Sequence, residues 1–242
     1  MGQGILITGT DTGVGKTFVG CGLAREFRRR ELRVAPFKPA ESGCELDSVS
    51  GQLVPADAVL LRQACGTDAA LETICPYRFQ LPLAPWVAAM RQIREDEVEK
   101  DGGIDPSLLS RQFQELASAH DLVIVETAGG ILVPLGERFH FGDLARLLNL
   151  PVLVVAGSKL GVINHTLLTL AYLQNAGLRF LGVVLNHPIE DSSPAVQTNE
   201  AVLRTLLKTR LFVVARSTDD NPSRDDSIFR ELASHILTSM AP

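Results

Sequence analysis

The chain has 242 residues, with Lys+Arg 23 against Asp+Glu 28, a formal net charge of −5, and 45% hydrophobic residues. That balance is ordinary for a globular domain; with no basic block longer than Arg28-Arg29-Arg30, it excludes the electrostatic footprint of a nucleic-acid binder. No apolar run reaches the roughly 18 residues that span a bilayer, and the start, Met1-Gly2-Gln3-Gly4-Ile5-Leu6, lacks the basic and apolar regions of a secretory signal, so a cytoplasmic protein is expected.

Taken in chain order, short apolar runs alternate with helical stretches. A strand is predicted over 5–8, a helix over 16–30 and a second strand over 33–37. Residues 45–55, rich in Ser, Gly and Pro, read as a loop before a helix over 56–64. Residues 94–106 read as a solvated acidic turn or short helix. Then follow a helix over 107–119, a strand over 122–125, a strand over 152–155 and a helix over 163–176 closed by Gly177. A strand over 181–185, a helix over 195–208, a strand over 211–214 and a helix over 227–240 complete the chain. Strands apolar at nearly every position are buried on both faces, as in a parallel sheet. The expected fold is therefore α/β: one doubly wound domain over 1–242, with a mostly parallel sheet flanked by helices. Cys21, Cys44, Cys65 and Cys75 have neither zinc-ligand spacing nor the look of a disulfide framework.

The strongest chemical signal is Gly9-Thr10-Asp11-Thr12-Gly13-Val14-Gly15-Lys16-Thr17, between a predicted strand and a predicted helix. That is the context of a P-loop. Gly13 and Gly15 allow the backbone to turn successive N–H groups around phosphate oxygens, and the helix N-terminus adds partial positive charge. Lys16 is expected to bridge the β- and γ-phosphates of a nucleotide, with the Thr17 hydroxyl on Mg²⁺. The usual first glycine falls one residue early, at Gly9 instead of position 10. A carboxylate partner for Mg²⁺ is supplied by Glu126, which ends the run Leu122-Val123-Ile124-Val125 and precedes Thr127-Ala128-Gly129-Gly130.

A third element, Phe37-Lys38-Pro39-Ala40-Glu41-Ser42-Gly43, follows the second strand. With the P-loop and Glu126-Thr127-Ala128-Gly129-Gly130 it closely resembles the dethiobiotin synthetases. Lys159-Leu160-Gly161-Val162-Ile163-Asn164-His165 and Leu181-Gly182-Val183-Val184-Leu185-Asn186 resemble two further segments of that family, in the same order. The resemblance implies an ATP- and Mg²⁺-dependent ligase of biotin synthesis. Its substrates would be 7,8-diaminononanoate and CO₂: a carbamate forms on one amine, ATP phosphorylates it, and the second amine closes the cyclic urea. It further implies that Gly13, Val14, Gly15, Lys16, Thr17 and Phe18 bind the nucleotide together with Thr127, Ala128 and Gly129, and that Asn186 reads adenine. Mg²⁺ would be held by Thr17, Asp57 and Glu126. Lys38 would act on the carbamate with Lys16, and Ser42 would hydrogen-bond the substrate. Gly161, Val162 and Asn164, from a second subunit of a homodimer, would hold the substrate's carboxylate at a helix N-terminus.

The resemblance breaks at three places. Ala84-Pro85-Trp86 stands where the family commonly has Ser-Pro-His, Thr127 follows Glu126 where Gly is usual, and Val213-Val214-Ala215-Arg216-Ser217 replaces a Gly-x-Ile-Pro-like end of the last strand. The last of these leaves nucleotide preference open. The alternative is a partitioning-type ATPase that switches partners without small-molecule chemistry, but those enzymes carry a signature Lys where this chain has Asp11. A cobyric-acid-type synthetase would need a glutaminase segment, which is not found.

Overall fold

The computed structural model describes residues 3–92, 104–188, 191–215 and 227–240. Most of the expected acidic stretch, and Arg216-Ser217 of the altered segment, lie outside the described residues. In chain order the elements are β1 (Gln3–Gly9), α1 (Lys16–Arg29), β2 (Val34–Phe37), β3 (Ala40–Ser42), β4 (Glu45–Leu46), β5 (Leu53–Val54) and α2 (Ala56–Cys65). Next come α3 (Leu71–Ile74), β6 (Tyr77–Phe79), α4 (Pro85–Gln92), α5 (Pro106–Ala119), β7 (Leu122–Gly130), β8 (Pro134–Gly136), β9 (Phe139–His140) and α6 (Phe141–Leu147). The last are β10 (Val152–Gly157), α7 (Val162–Asn175), β11 (Phe180–Asn186), α8 (Pro194–Leu206), β12 (Leu211–Val214) and α9 (Ser227–Met240).

Six strands form one sheet in the order β12-β11-β10-β1-β7-β2, and every pairing in it is parallel. The alternation of side chains explains why these strands read as continuous apolar runs. On β1, Leu6 faces one core together with Phe37, Val123, Val154 and Leu185, against Leu109 of α5, Leu144 of α6 and Leu173 of α7. Its neighbours Ile5 and Ile7 face the other, with Ile124, Val155 and Val184, against Leu23 of α1 and Ile236 of α9. Burying both faces needs helices on both sides, so the doubly wound expectation holds. Pro36, which donates no ladder hydrogen bond, is tolerated because β2 is an edge strand.

Two expectations need correction, and one pairing was not foreseen. Residues 45–55 are not wholly loop: β4 and β5 pair antiparallel within them. β3 and β6 form a small parallel pair beside the main sheet, and β3 begins two residues after Lys38. Glu126 does not end its strand, because β7 runs on to Gly130, which pairs with Gly9. A Cβ at Gly130 would lie 3.2 Å from the Gly9 carbonyl oxygen, so the absence of side chains there lets the two backbones meet.

Candidate active site

At the C-terminal edge of the parallel sheet lies a cleft of about 860 Å³. It is lined by the P-loop residues Thr12, Gly13, Gly15, Lys16 and Thr17, by Lys38, Glu41 and Ser42, by Asp57, and by Glu126, Ala128 and Gly129. The crevice outside the carboxyl ends of the strands is where open α/β sheets bind ligands. The sequence-distant motifs therefore converge on one volume.

The P-loop owes its shape to glycine. Gly13 and Gly15 have φ of 73° and 91°, and Gly15 is the N-cap of α1 with no side chain to cap it, so the first N–H groups of the helix stay available to an anion. The early glycine also has a structural reason. A Cβ at Gly9 would sit 2.6 Å from the Asp11 carbonyl oxygen and 3.1 Å from Lys16 Nζ, so the bare backbone at position 9 makes room for both. Lys16 folds back over the loop and donates to that carbonyl at 3.2 Å. Burial, and then the neighbouring Lys38 ammonium, lower the Lys16 pKa to about 8. The Lys16 ammonium beside the bare N–H groups of the loop and helix start forms a receptor for a polyanion.

Lys38 is held by both ends. Its backbone N–H donates to the Ile74 carbonyl at 2.8 Å, and its ammonium donates to Asp57 Oδ2 at 2.8 Å and to Glu126 Oε1 at 2.5 Å. Only 2% of Lys38 is exposed. Burial opposes its charge, but the two carboxylates outweigh burial and raise its pKa above the usual lysine range. Asp57 is the counterpart. Burial works against its charge, while Lys38 and a hydrogen bond with Thr17 hold its carboxyl below the usual range. The Thr17 hydroxyl donates to Glu126 Oε1 at 2.9 Å. Thr17, Asp57 and Glu126 thus surround one point, which Lys38 Nζ neutralises. Glu126 is fully buried, and its second oxygen, Oε2, has no hydrogen-bond partner. A buried orphan carboxylate oxygen beside a hydroxyl and a second carboxylate is a set of hard oxygen donors, which fits Mg²⁺ with phosphates completing the shell. Among the described residues no group of three or more His, Cys, Asp or Glu could hold a metal, so the mixed hydroxyl–carboxylate set is the candidate.

The other predicted residues fall in three places. Ser42, with Gly43 at φ 79° behind it, lines the cleft facing Pro82, Leu83, Ala84 and Pro85. Ala84 and Pro85 thus face the cleft from the start of α4, and Trp86 is not among the lining residues. Thr127, where Gly was usual, is fully buried, and its hydroxyl donates to the Gly129 carbonyl at 2.7 Å, bracing the irregular end of β7 that brings Ala128 and Gly129 to the cleft. Asn186 lies behind the loop instead of in the cleft: its Nδ2 donates to the Val14 carbonyl at 2.9 Å, and Val14 itself is buried. Phe18 also lines the cleft. Gly161, Val162 and Asn164 open α7 and are absent from the cleft wall of this chain. Lys159, just before them, bridges to Asp11 of the P-loop at 2.7 Å. Among the lining residues that carried no assignment from sequence, Glu41 bears a charge at the centre of the site. Glu41 is buried in the cleft wall and touches the helix that bears Asp57.

A family model described as an AAA domain matches residues 3–216. The chain is 44% identical over 204 residues to the ATP-dependent dethiobiotin synthetase BioD of Anaeromyxobacter dehalogenans (strain 2CP-C), covering 84% of this chain and 85% of that one. It is 36% identical over 239 residues to the protein of the same name from Aquifex aeolicus (strain VF5), covering 98% and 99%. The chain belongs to the dethiobiotin synthetase family. As a member of that family it is an ATP-dependent ligase of the cyclo-ligase class. The fold has wider relatives. The septum site-determining protein MinD of Pyrococcus horikoshii OT3, solved with Mg-ADP, superposes with a TM-score of 0.57 at 17% identity, covering 98% of this chain and 96% of that one. MinD in the MinC:MinD complex of Aquifex aeolicus gives 0.58 at 14% identity, covering 99% and 98%. At such identities the likeness is one of fold: a P-loop nucleoside-triphosphatase architecture.

Proposed function

We propose that this one domain carboxylates 7,8-diaminononanoate with CO₂, phosphorylates the carbamate with ATP and closes the ring to dethiobiotin, releasing ADP and phosphate. The observation that carries the reading is the buried Lys38 ammonium in one cleft with the P-loop Lys16, two carboxylates and Ser42. Carbamate and triphosphate are both anions, so bringing a carbamate oxygen onto the γ-phosphorus requires concentrated, fixed positive charge. Lys16 and the N–H groups of Gly13 to Phe18 bind the phosphates, and Lys38 holds the carbamate and the transferring phosphoryl oxygens. Thr17, Asp57 and Glu126 would hold Mg²⁺, which when bound would neutralise charge on the triphosphate. The carbamate oxygen displaces ADP. The second amine then attacks the carbonyl carbon, loses its proton and expels phosphate. Ser42 hydrogen-bonds the substrate, and the reading of adenine is assigned to Asn186 through the amide atoms that its bond to the Val14 carbonyl leaves over.

The carboxylate of the diamine falls to Gly161, Val162 and Asn164 of a second copy of the chain. Support comes from α7 and the turn before it: Leu160, Leu167 and Leu168 are 84%, 38% and 61% exposed, apolar surface suited to a homodimer interface beside the helix start. Free, buried cysteines suit a reducing cytoplasm. Among the described residues no helix is long and apolar enough to cross a membrane. A nucleotide switch without small-molecule chemistry is the weaker reading. At position 11 it would require a lysine; Asp11 is engaged with Lys159 instead.

The direct test is product detection by mass. Purified protein with diaminononanoate, bicarbonate, Mg²⁺ and ATP should yield a species heavier than the diamine by CO₂ less water; no such species without ATP, and none with ATP, separate success from failure. A second expectation concerns the cation. Asp57→Asn should raise the Mg²⁺ concentration for half-maximal turnover by about tenfold or more, the scale of weakening one ligand or its support. Superimposable Mg²⁺ titrations would leave Asp57 as a helix-start residue only.

A further inference from the structure

Asp57 stands at the second position of α2, and nothing at the start of that helix holds it there. The N-cap is Pro55, which makes no side-chain cap bond. The missing cap arrives from 16 residues earlier in the chain. Glu41 Oε1 accepts the Asp57 N–H at 2.9 Å, and Oε2 accepts the Ala58 N–H at 3.1 Å;. Both carboxylate oxygens are engaged, and Glu41 is only 6% exposed. Burial pushes its carboxyl pKa up, while the Lys38 ammonium and the two N–H groups pull the other way. A negative charge on two orphan N–H groups at a helix N-terminus is doubly favourable: the hydrogen bonds are charge-assisted, and the helix dipole points its positive end at the carboxylate. Glu41 lies on β3, one residue from Ser42 and three from Lys38, so the same short segment carries a substrate contact, the cationic group and the clamp on the helix opposite.

We propose that Glu41 is the positioning residue for the cation site, fixing the start of α2 so that the Asp57 carboxylate meets Thr17, Lys38 and the metal. The role depends on geometry as well as charge. Gln at position 41 keeps the length but offers one acceptor, and its NH₂ would face the second N–H. Ala at position 41 offers none. This inference rests on the proposed cation role of Asp57.

The test reads Mg²⁺ affinity apart from turnover. A fluorescent ADP analogue is titrated with Mg²⁺ on wild type, Glu41→Gln, Asp57→Asn and the double variant. Glu41→Gln should shift the Mg²⁺ midpoint upward by about 10- to 100-fold, the range for residues that orient a metal ligand. The double variant should shift little beyond Asp57→Asn, because both changes act through one carboxylate. A role confined to folding would instead lower the melting temperature and leave the midpoint unmoved, which overturns the proposal; so would fully additive shifts. If Asp57→Asn moves the midpoint and Glu41→Gln does not, only this inference falls. If neither moves it, the cation reading of Asp57 falls with it, while the product assay still decides the ligase reading.

Discussion

Lys38→Ala is expected to lower single-turnover product formation by at least about 10²-fold, the scale of removing one preorganised charge contact from a transition state. Nucleotide binding should change far less, since Lys16 and the loop amides are untouched. The reason lies in the position of the ammonium: it is buried and hydrogen-bonded to Asp57 and Glu126. The same variant has a second expected consequence. Removing the cation leaves Glu126 fully buried with only the Thr17 hydroxyl, and removing one partner of a buried ion pair costs about 3–5 kcal/mol. Lys38→Ala should therefore unfold at lower urea concentration than wild type in metal-free buffer, and Mg²⁺ should narrow the gap by supplying positive charge to the same carboxylates. Wild-type turnover in Lys38→Ala would remove the mechanism. An unfolding midpoint equal to wild type would mean that the two carboxylates rearrange into water. Measuring both separates catalytic charge from structural charge at one side chain.

The six strands of the main sheet were legible because their centres are packed on two faces, so each carries a short run apolar at every position and no alternating pattern competes with it. The run at 211–214 coincides with β12 to the residue. What escaped was decided by backbone meeting backbone. β7 runs past Glu126 through Thr127-Ala128-Gly129-Gly130, which looks like a turn by composition; pairing of Gly130 with Gly9 extends it. β3 and β6 are three residues each and pair across 34 positions of chain, too short and too distant for any local periodicity. The site divides in the same way. Lys16, Thr17, Lys38, Ser42, Asp57 and Glu126 were legible as side chains in known motifs, and they line one cleft. Glu41 sat inside a quoted motif without an assignment, because its partners are two N–H groups of a helix and backbone donors leave no mark in a sequence. Asn186 was legible as a strand-end amide, but not as a prop beneath Val14, because that contact depends on how closely β11 approaches the loop.

That approach makes Gly15 the most constrained position of the P-loop, and Gly15→Ala is expected to weaken binding of inorganic tripolyphosphate by at least about 30-fold. Two costs combine. The residue has φ 91°, where an L side chain is strained by about 1–2 kcal/mol. A Cβ there would also collide with Asn186 Nδ2, the group that donates to Val14. Forcing that buried amide aside adds an overpacking cost of about 1–3 kcal/mol. The free loop of the variant relaxes out of the cradle shape to escape these costs, about 2–5 kcal/mol together, and binding must restore it; since 1.4 kcal/mol is tenfold in an equilibrium constant, the low end corresponds to about 30-fold. Tripolyphosphate is the informative probe because it has no base, so any adenine contact by Asn186 drops out of the comparison. Adding Asn186→Ala to Gly15→Ala removes the clash and leaves the positive φ, so affinity should recover in part and stop short of wild type. Full recovery would show that the left-handed backbone at residue 15 costs nothing; no recovery would show that the amide was never in the way. Wild-type affinity in Gly15→Ala itself would mean that the anion is held by Lys16 alone and that the loop's N–H groups contribute nothing to the cradle.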